Sequence, residues 1–309
     1  MVTTKQVLLI AGPTAVGKTA LSLELAHQFD GEVISGDSMQ VYRHLDIGTA
    51  KVLPDERQAI PHHLIDIKSV HDSFTVAEFV SRATILINQI QARGKLPIIV
   101  GGTGFYLQSL LAGFQFGTAN VVPDLTYRQT WFDLAALKGS QAVWSVLQGV
   151  DPQAAAKIEP QNVVRVVRAL EYQHVSGRRF SDQADEQPTD LSALTVCLTA
   201  ERSELYQRIN QRVDQMVATG LIDEARWLYQ QGGRALPAGK GIGYHELFPY
   251  FAGDTMLTTA VDLIKRDSRR YAKRQLTWFR NKMTVNWYNL LEHPEQRREI
   301  DDLVTNWRC

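Results

Sequence analysis

The 309-residue chain has 44% hydrophobic residues and no formal net charge, which indicates an ordinary soluble globular protein with one large domain or a core carrying an insertion. Its two cysteines, Cys197 and Cys309, lie too far apart for a disulfide framework or a zinc site, which fits a reducing cytosol, so we expect a cytoplasmic protein. The apolar N-terminal run is too short for a signal peptide and no stretch is long enough to span a membrane, so we expect no membrane association.

The first predicted strand, Val7–Ala11, leads into a glycine-rich loop and then a segment with helical spacing. The loop has the Gly-x-x-x-x-Gly-Lys-Thr pattern of a phosphate-binding loop (P-loop) in its strand–loop–helix context. Loop amides and the helix N-terminus attract an anion, Lys18 is expected to reach the outer phosphates, and the Thr19 hydroxyl is expected to ligate magnesium (Mg2+). We therefore expect a diphosphate or polyphosphate to bind Gly12, Pro13, Thr14, Ala15, Val16, Gly17, Lys18 and Thr19.

Short apolar runs alternate with helical patterns along the first part of the chain. The predicted strands are Val7–Ala11, Glu32–Ser35, His63–Ile67, Pro97–Val100 and Leu194–Leu198. The predicted helices between them are Thr19–Phe29, Thr75–Arg93 and Phe105–Ala112. This alternation predicts an α/β fold with a P-loop and a doubly wound parallel sheet, in which ligands bind at the carboxyl ends of the strands.

The alternation stops after Gly117, and the next predicted strand begins only at Leu194. The intervening sequence has helical patterns alone. We therefore predict a helical insertion domain at residues 118–182, between two parts of the core at residues 1–117 and 183–309. In the second part we predict C-terminal helices at Leu205–Val217, Leu221–Gln231 and Val261–Asn281. We predict a loop at Leu236–Tyr244 and a peripheral acidic tail from Glu292 onward.

Two further loops follow predicted strands and should meet the P-loop at one cleft. The loop after the second strand carries Asp37, a carboxylate that can take a proton or hold the magnesium shell; helix capping is the alternative interpretation. The loop after the fourth strand runs from Gly101 to Gly104. Its glycines allow a ligand to approach the backbone and Thr103 supplies a hydroxyl, although a tight turn into a helix explains the same residues.

For two other polar segments, the residues alone favour a purely structural role over a role in binding a ligand. Arg212 lies on a predicted helix, where it could clamp a diphosphate or be an ordinary surface arginine. The second segment opens a helix in the insertion, and its polar edge could meet a ligand or simply be solvated. Its residues are Gln161, Asn162, Val163, Val164 and Arg165.

The segment Lys265–Lys282 is strongly basic, with like charges four residues apart and Tyr271, Trp278 and Phe279 interleaved. Like charges at this spacing destabilise an isolated helix, so such a helix usually faces an anion. With aromatic residues beside the charges, nucleic acid is the favoured partner, and a solvated basic face is the alternative. The basic residues include Arg269, Arg270, Lys273 and Arg274.

Five motifs together resemble those of the tRNA dimethylallyltransferases, also called tRNA isopentenyltransferases. They occur in the family's order, as GPTAVGKT, SGDSMQVYRHLDIGTAK, GGTGFY, RVDQM and RRYAKRQLTWFRN. The P-loop is shared with many nucleotide kinases, whereas DSMQVYR with DIGTAK and RYAKRQLTWFR is highly specific. The resemblance covers about Val7 to Asn286 and departs at His44, where the family more often has glycine.

The resemblance implies an enzyme that transfers a dimethylallyl group from dimethylallyl diphosphate to the exocyclic amine of the adenosine next to the anticodon. It implies that Asp37 is the general base, that Thr103 holds the adenine, and that Lys18, Thr19 and Arg212 bind the diphosphate and its magnesium. It implies contacts with the tRNA anticodon stem-loop through the insertion and the loop at Asp37. With the basic helix, the expected tRNA-binding residues are Asp37, Ser38, Met39, Gln40, Thr103, Gln161, Asn162, Val163, Val164, Arg165, Arg269, Arg270, Lys273 and Arg274.

Three other functions use the same P-loop. A small-molecule or nucleotide kinase would bind ATP there but has no need of the basic helix. An isopentenyltransferase acting on free adenine nucleotides would need neither that helix nor the insertion. An RNA-binding protein without activity would not need the intact Lys18 and Thr19. We expect a monomer that binds tRNA and dimethylallyl diphosphate.

Overall fold

The computed structural model describes residues 5–57, 60–114, 124–182 and 189–308. They form two compact units. The core unit comprises Met1–Leu111 and Thr189–Cys309, and the insertion unit comprises Ala112–Pro188. The boundaries predicted near residues 117 and 183 fall within 115–123 and 183–188, which lie outside the described residues. In the described part of the chain, no helix has both the length and the apolar character needed to cross a bilayer.

The core unit contains one six-stranded sheet in which all neighbouring strands are parallel. The strand order is β3-β2-β4-β1-β5-β6. The strands are β1 Lys5–Ala11, β2 Gly31–Ser35, β3 His62–His63, β4 Leu96–Gly101, β5 Leu191–Leu198 and β6 Asn286–Tyr288. Ala11 at the end of β1 is in register with Gly101 of β4 and Cys197 of β5. The loops that follow these strands therefore leave one edge of the sheet side by side, and the predicted doubly wound α/β fold is confirmed.

Helices cover both faces of the sheet and form the insertion unit. In the core unit they are α1 Lys18–Gln28, α2 Val76–Ala92, α3 Gly104–Leu111, α8 Arg202–Ala218, α9 Leu221–Gln230, α10 Phe248–Phe251, α11 Leu257–Lys282 and α12 Gln296–Arg308. In the insertion unit they are α4 Leu125–Lys138, α5 Ser140–Val150, α6 Pro152–Lys157 and α7 Val163–Ser176. Short 3-10 turns occur at Asp55–Arg57, Phe180–Asp182, Gly233–Ala235 and Ala238–Lys240.

Strand β1 is apolar on both faces because both faces are buried, as is usual for parallel sheets. Leu8 and Ile10 pack in one core cluster with residues of α1, α8 and α12. Val7 and Leu9 pack in the opposite cluster with residues of α2 and α3 and with Phe279 of α11. The two layers of helices hold the carboxyl end of β1, where the P-loop begins, between rigid elements.

Three features of the core unit differ from the sequence prediction. The strand predicted at His63–Ile67 is limited to His62–His63, because Leu64 and Asp66 have φ angles of 61° and 58°, which end the extended backbone. Strand β6 was not predicted. The tail was wrongly predicted to be peripheral: in α12, Ile300 and Val304 are completely buried in the core.

The insertion unit has its own apolar core, as expected for a segment that folds as a compact body. Val143 and Leu147 of α5 and Val166 and Leu170 of α7 are buried together there. The helical character predicted for this part of the chain is confirmed for its described residues. At the start of α7 the side chain of Asn162 accepts a hydrogen bond from the backbone amide of Arg165 at 3.3 Å, so Asn162 is the helix N-cap.

Candidate active site

A cleft of about 1060 Å³ lies in the core unit. The P-loop, the loop after β2 and the loop after β4 all contribute to its lining, together with residues of α8 and α11. This is the convergence that the parallel sheet predicts, because ligands bind outside the carboxyl ends of its strands. Lys18, Thr19, Asp37 and Arg212, which the sequence singled out separately, line this one cleft.

The P-loop curls through several left-handed backbone positions. Gly12, Ala15 and Gly17 have φ angles of 139°, 66° and 101°. A Cβ at Gly12 would lie 2.6 Å from the carbonyl oxygen of Leu198, so both conformation and space require glycine there. The loop ends at the N-terminus of α1, where backbone amides without helical partners favour an anion.

Positive side chains surround the anion-binding part of the cleft. The Lys18 ammonium donates to the carbonyl oxygen of Pro13 at 2.6 Å. Its pKa is lowered to about 8, first by burial and then by the positive charge of Arg212, although Asp37 opposes this shift. Burial also lowers the pKa of Arg212, and the charge of Arg208 adds to that effect. Cations with poor solvation and close to one another favour binding an anion.

Arg212 therefore faces the cleft, and its interpretation as an ordinary surface arginine is wrong. Arg208 lies one turn earlier on α8 and lines the same cleft. Its Nε donates to the carbonyl oxygen of Ala15 in the P-loop at 3.1 Å. Sequence reasoning missed Arg208, although its spacing of four residues from Arg212 places both on one helix face.

Asp37 lies in an irregular loop and does not cap a helix, because no helix follows β2 directly among the described residues. Its Oδ1 accepts a hydrogen bond from the backbone amide of Met39 at 2.8 Å. Burial raises the pKa of Asp37, and the Met39 amide and the charge of Lys18 oppose that shift. A carboxylate with a raised pKa in a cleft is better able to take a proton than an exposed aspartate.

Thr103 links the loop after β4 to the loop that carries Asp37. Its Oγ1 accepts a hydrogen bond from the backbone amide of Ser38 at 3.3 Å. Thr103 also lies near Tyr271 of α11, where it opposes the rise in the pKa of Tyr271 that burial causes. The tight-turn interpretation of this loop is confirmed, since α3 begins at Gly104 directly after Thr103. The glycines here have structural neighbours: a Cβ at Gly101 would collide with the backbone of Gly36.

Another wall of the cleft is apolar. Four partly buried side chains line the cleft and also pack against the core cluster beneath it; they are Met39, Ile47, Met216 and Ile242. Glu224 of α9 fixes this wall, because its carboxylate accepts the backbone amides of Asp46, Ile47 and Gly48 at 2.7–2.9 Å. The cleft thus combines a cationic region with an apolar surface.

Gln40 uses its side chain within the protein. Its Oε1 accepts from the Ser35 hydroxyl at 2.9 Å, and its Nε2 donates to the carbonyl oxygen of Thr49 at 3.2 Å. These bonds attach the loop after β2 to the apolar wall. The predicted RNA contact of Gln40 stays a prediction, and any such contact must share the side chain with this internal role.

The residues present fit a magnesium ion that takes most of its oxygen ligands from a bound phosphate group and from water. Thr19 is exposed and lines the cleft with Lys18 and Asp37, so one hydroxyl and one carboxylate face the anion site. Magnesium commonly takes one or two protein oxygens and completes its shell with phosphate oxygens and water. A cluster of three candidate metal ligands, His245, Glu246 and Asp267, occurs in the described part of the chain, and none of its members lines the cleft.

The predicted tRNA-binding residues at the start of α7 and on α11 divide into two groups, and of these Arg274 also lines the cleft. Gln161, Val164 and Arg165 are exposed at the start of α7 in the insertion unit. On α11, Arg270, Lys273 and Arg274 are exposed and line a second groove of about 540 Å³ with Trp278. We call these three residues the basic face of α11.

Arg269 differs from its neighbours on α11. Its guanidinium donates to Asn210 Oδ1 at 2.6 Å and lies 6.0 Å from the ring centroid of Tyr206, both on α8. Lys265 is likewise paired with Asp214, at 2.5 Å. Part of the positive charge counted from the sequence therefore joins α11 to α8, and three of the remaining basic residues form the basic face.

The fold and the cleft define an α/β protein of the P-loop class. The family model described as IPP transferase matches residues 40–282. The tRNA dimethylallyltransferase of Lactiplantibacillus plantarum is 69% identical over 306 residues, covering 99% of this chain and 98% of that protein. The tRNA dimethylallyltransferase of Geobacillus kaustophilus is 50% identical over 301 residues, covering 97% of this chain and 95% of that protein. The chain belongs to the IPP transferase family.

Two solved structures are similar over nearly the whole chain. The full-length tRNA isopentenylpyrophosphate transferase from Bacillus halodurans is 46% identical, with a TM-score of 0.73, and the match covers 98% of this chain and 96% of that chain. A eukaryotic dimethylallyltransferase acting on tRNA is 30% identical, with a TM-score of 0.81, and the match covers 98% of this chain and 80% of that chain. These similarities agree with the family resemblance found in the motifs.

Proposed function

We propose that this protein transfers a dimethylallyl group from dimethylallyl diphosphate to the exocyclic amine of the adenosine adjacent to the anticodon of tRNA. Its relatives bear the name tRNA dimethylallyltransferase. The observation that carries the proposal is one cleft lined by Lys18, Arg212 and Asp37 together with an apolar wall. An allylic diphosphate needs a cationic site for its head and an apolar site for its tail, and its acceptor amine needs a base.

The diphosphate leaves with growing negative charge as the carbon–oxygen bond breaks. P-loop amides, Lys18 and Arg212 supply positive charge at this point, and Arg208 stands beside them. Magnesium, held by Thr19 and the diphosphate oxygens, would supply further stabilisation of the leaving group. These positive groups already line the cleft before the reaction, so the protein needs little reorganisation as negative charge develops on the leaving group.

The exocyclic amine of adenine is a weak nucleophile because its lone pair is delocalised into the ring. As its nitrogen forms a bond to the allylic carbon, one N–H proton must leave, and the proposed acceptor of this proton is the Asp37 carboxylate. Thr103 would help to orient the adenine through Ser38, since Ser38 lines the cleft and donates its backbone amide to the Thr103 hydroxyl. Because the target base lies in a loop, its extrusion into the cleft costs little.

The tRNA anticodon stem-loop is proposed to bind the basic face of α11, and we propose a cytoplasmic monomer as the active form. Arg270, Lys273 and Arg274 are exposed, which lets them approach phosphates, although Arg270 also pairs with Asp267 at 3.3 Å. Replacing all three with alanine should flatten the plot of log K against log salt by about two units, since each phosphate contact contributes about 0.7–0.9. Alanine at the exposed Arg82, Arg226 and Arg298 is the matched control, and an equal slope change there would contradict this binding face.

Labelled dimethylallyl diphosphate and magnesium distinguish the candidate functions. The protein is incubated with them and with tRNA, with the same tRNA carrying guanosine at the target position, or with AMP, and ATP turnover is measured in parallel. We expect label only in the tRNA that carries adenosine. Label in AMP alone would support a transferase for free nucleotides, ATP turnover would support a kinase, and RNA binding without either product would support a binding protein.

A further inference from the structure

One polar side chain on the inner face of α11 joins two loops of the cleft. Gln275 is only 5% exposed. Its Nε2 donates to the carbonyl oxygen of Gly102 at 2.9 Å, and its Oε1 accepts the backbone amide of Thr14 at 3.1 Å. Both ends of one amide are therefore used, and they connect the P-loop to the loop after β4.

A second side chain extends this connection to the third loop. Tyr271, one turn before Gln275, lies near Thr103 and Gln275, and both side chains oppose the rise in its pKa that burial causes. Thr103 in turn accepts the backbone amide of Ser38, the residue after Asp37. The inner face of α11 thus contacts, directly or through one residue, each loop to which the proposed reaction assigns a role.

The packing around Gln275 leaves little freedom. A Cβ at Gly102 would collide with Nε2 of Gln275, so the side-chain amide rests against the backbone of the loop. Thr14 and Gly102 lie in irregular segments between regular elements. Their spacing therefore depends on contacts such as this one rather than on the hydrogen bonds of a helix or sheet.

We propose that Gln275 is a positioning residue that sets the spacing between the diphosphate-binding loop and the loop that carries Thr103. The proposal rests on the proposed function, because it assigns the donor to the first loop and the acceptor adenine to the second. Gln275 lines the cleft, but both ends of its amide are bonded within the protein, so in this scheme it acts through the two loops. By accepting the Thr14 amide it fixes the position of Thr14 within the P-loop, and through Gly102 it holds Thr103 beside the loop that carries Asp37.

The test compares Gln275→Met with Gln6→Met. Methionine has nearly the length of glutamine but cannot form either amide hydrogen bond. Gln6 is a matched control because its Nε2 also joins distant parts of the chain, donating to the carbonyl oxygen of Trp307 at 2.9 Å. Gln6 lies near the start of β1, at the end of the strand away from the P-loop. All measurements are made well below the unfolding midpoints of both variants.

Three readouts separate positioning from general stability. For Gln275→Met we expect about tenfold weaker binding of inorganic diphosphate, the equivalent of about one net hydrogen bond. Amide exchange should become faster in the peptide containing Thr14. The rate of single-turnover transfer at saturating substrates should fall about 10- to 100-fold. A tenfold decrease corresponds to the loss of about one net hydrogen bond. Binding of tRNA should change little, and Gln6→Met should leave all of these unchanged.

Gln275→Glu tests the two bonds separately, since a carboxylate accepts the Thr14 amide but cannot donate to Gly102. For this variant we expect the rate of amide hydrogen exchange in the P-loop to return toward that of the wild type, while the rate of dimethylallyl transfer stays low. If Gln275→Met lowers only the unfolding midpoint, with diphosphate affinity and Thr14 exchange normal, the positioning role is overturned. The diphosphate and exchange measurements need no transfer, so a wild type without transferase activity would refute the proposed function and still leave this comparison decisive.

Discussion

Arg208 and Ala15 connect helix α8 to the P-loop: the Nε of Arg208 donates to the carbonyl oxygen of Ala15 at 3.1 Å. Ala15 has a φ of 66°, a left-handed conformation that costs energy in a residue with a Cβ and persists where neighbours stabilise it. Arg212 lies one turn further along α8 and lines the same cleft. Helix α8 therefore both supports the P-loop and carries two guanidinium groups to the anion site.

Replacing Arg208 with methionine should weaken diphosphate binding by about 10- to 100-fold, since hydrogen bonds involving charged groups are worth about 1.5–3 kcal/mol. The substitution removes a positive charge and the bond to the P-loop. Calorimetric titration with inorganic diphosphate and magnesium measures the effect. Arg202→Met is the control, because Arg202 is exposed at the start of the same helix and does not line the cleft. Equal affinities for both variants would contradict a role for Arg208 at the anion site.

Asp37→Asn tests the general-base role. Asparagine keeps the shape of the side chain and its ability to accept the Met39 amide, but it cannot take the amine proton. We expect single-turnover transfer at saturating tRNA, donor and magnesium to fall about 10²–10⁴-fold, the usual cost of losing a general base. Binding of tRNA and diphosphate should stay nearly normal. If raised magnesium restores much of the rate, Asp37 serves the metal shell instead.

The pH dependence of transfer gives a second test of Asp37. Its pKa is raised by burial, and a base works only when deprotonated. The wild-type rate should therefore decline as the pH falls through this raised pKa, above the range of an ordinary aspartate. The residual rate of Asp37→Asn should lack that decline. An unchanged acid limb in the variant would assign the ionisation to another group.

The sequence was sufficient to predict the P-loop, the parallel sheet and the cleft because these depend on local patterns and on a general rule of topology. Apolar runs such as Val7–Ala11 need burial on both faces, and the loops after parallel strands must leave the same edge. Arg212 needed the structure, because one arginine on an amphipathic helix has the same spacing whether it faces a cleft or solvent.

Gln275 could not be assigned from the sequence for a related reason. Gln275 meets Thr14 and Gly102, which are distant in the chain, so no local spacing reports the contact. Within the basic helix, Arg269 binds Asn210 of α8, whereas Arg270 is exposed. Composition counts both charges alike, and only tertiary packing separates the one that joins two helices from the one that faces solvent.

The error at the C-terminal tail leads to a stability prediction. Ile300 is completely buried in the core although the surrounding sequence is highly charged. Ile300→Ala should lower the free energy of unfolding by about 2–5 kcal/mol, because it removes buried methyl groups and leaves a cavity. Denaturant unfolding measures the loss. Asn306→Ala, at an exposed position of the same helix, should change stability by less than about 0.5 kcal/mol. A small effect at Ile300 would restore the peripheral interpretation of the tail.

Lys18 should take up a proton when diphosphate binds. Burial and the charge of Arg212 lower its pKa to about 8, so at pH 8 about half of the free protein carries a neutral Lys18. A bound diphosphate favours the ammonium form and raises this pKa again, so binding at pH 8 should bring up to about half a proton to Lys18. Affinity should accordingly weaken as the pH rises above 8, where protonating Lys18 becomes harder.

Calorimetric titration in buffers of different ionisation enthalpy measures this proton uptake. Lys18→Arg is the matched variant, because a guanidinium keeps its positive charge throughout this pH range and has no proton to gain. The difference in proton uptake between the two proteins removes any contribution from the diphosphate itself. We expect the wild type to take up more protons than Lys18→Arg at pH 8 and the difference to vanish near pH 6. Equal uptake by both proteins at pH 8 would mean that Lys18 is already fully protonated or does not contact the diphosphate.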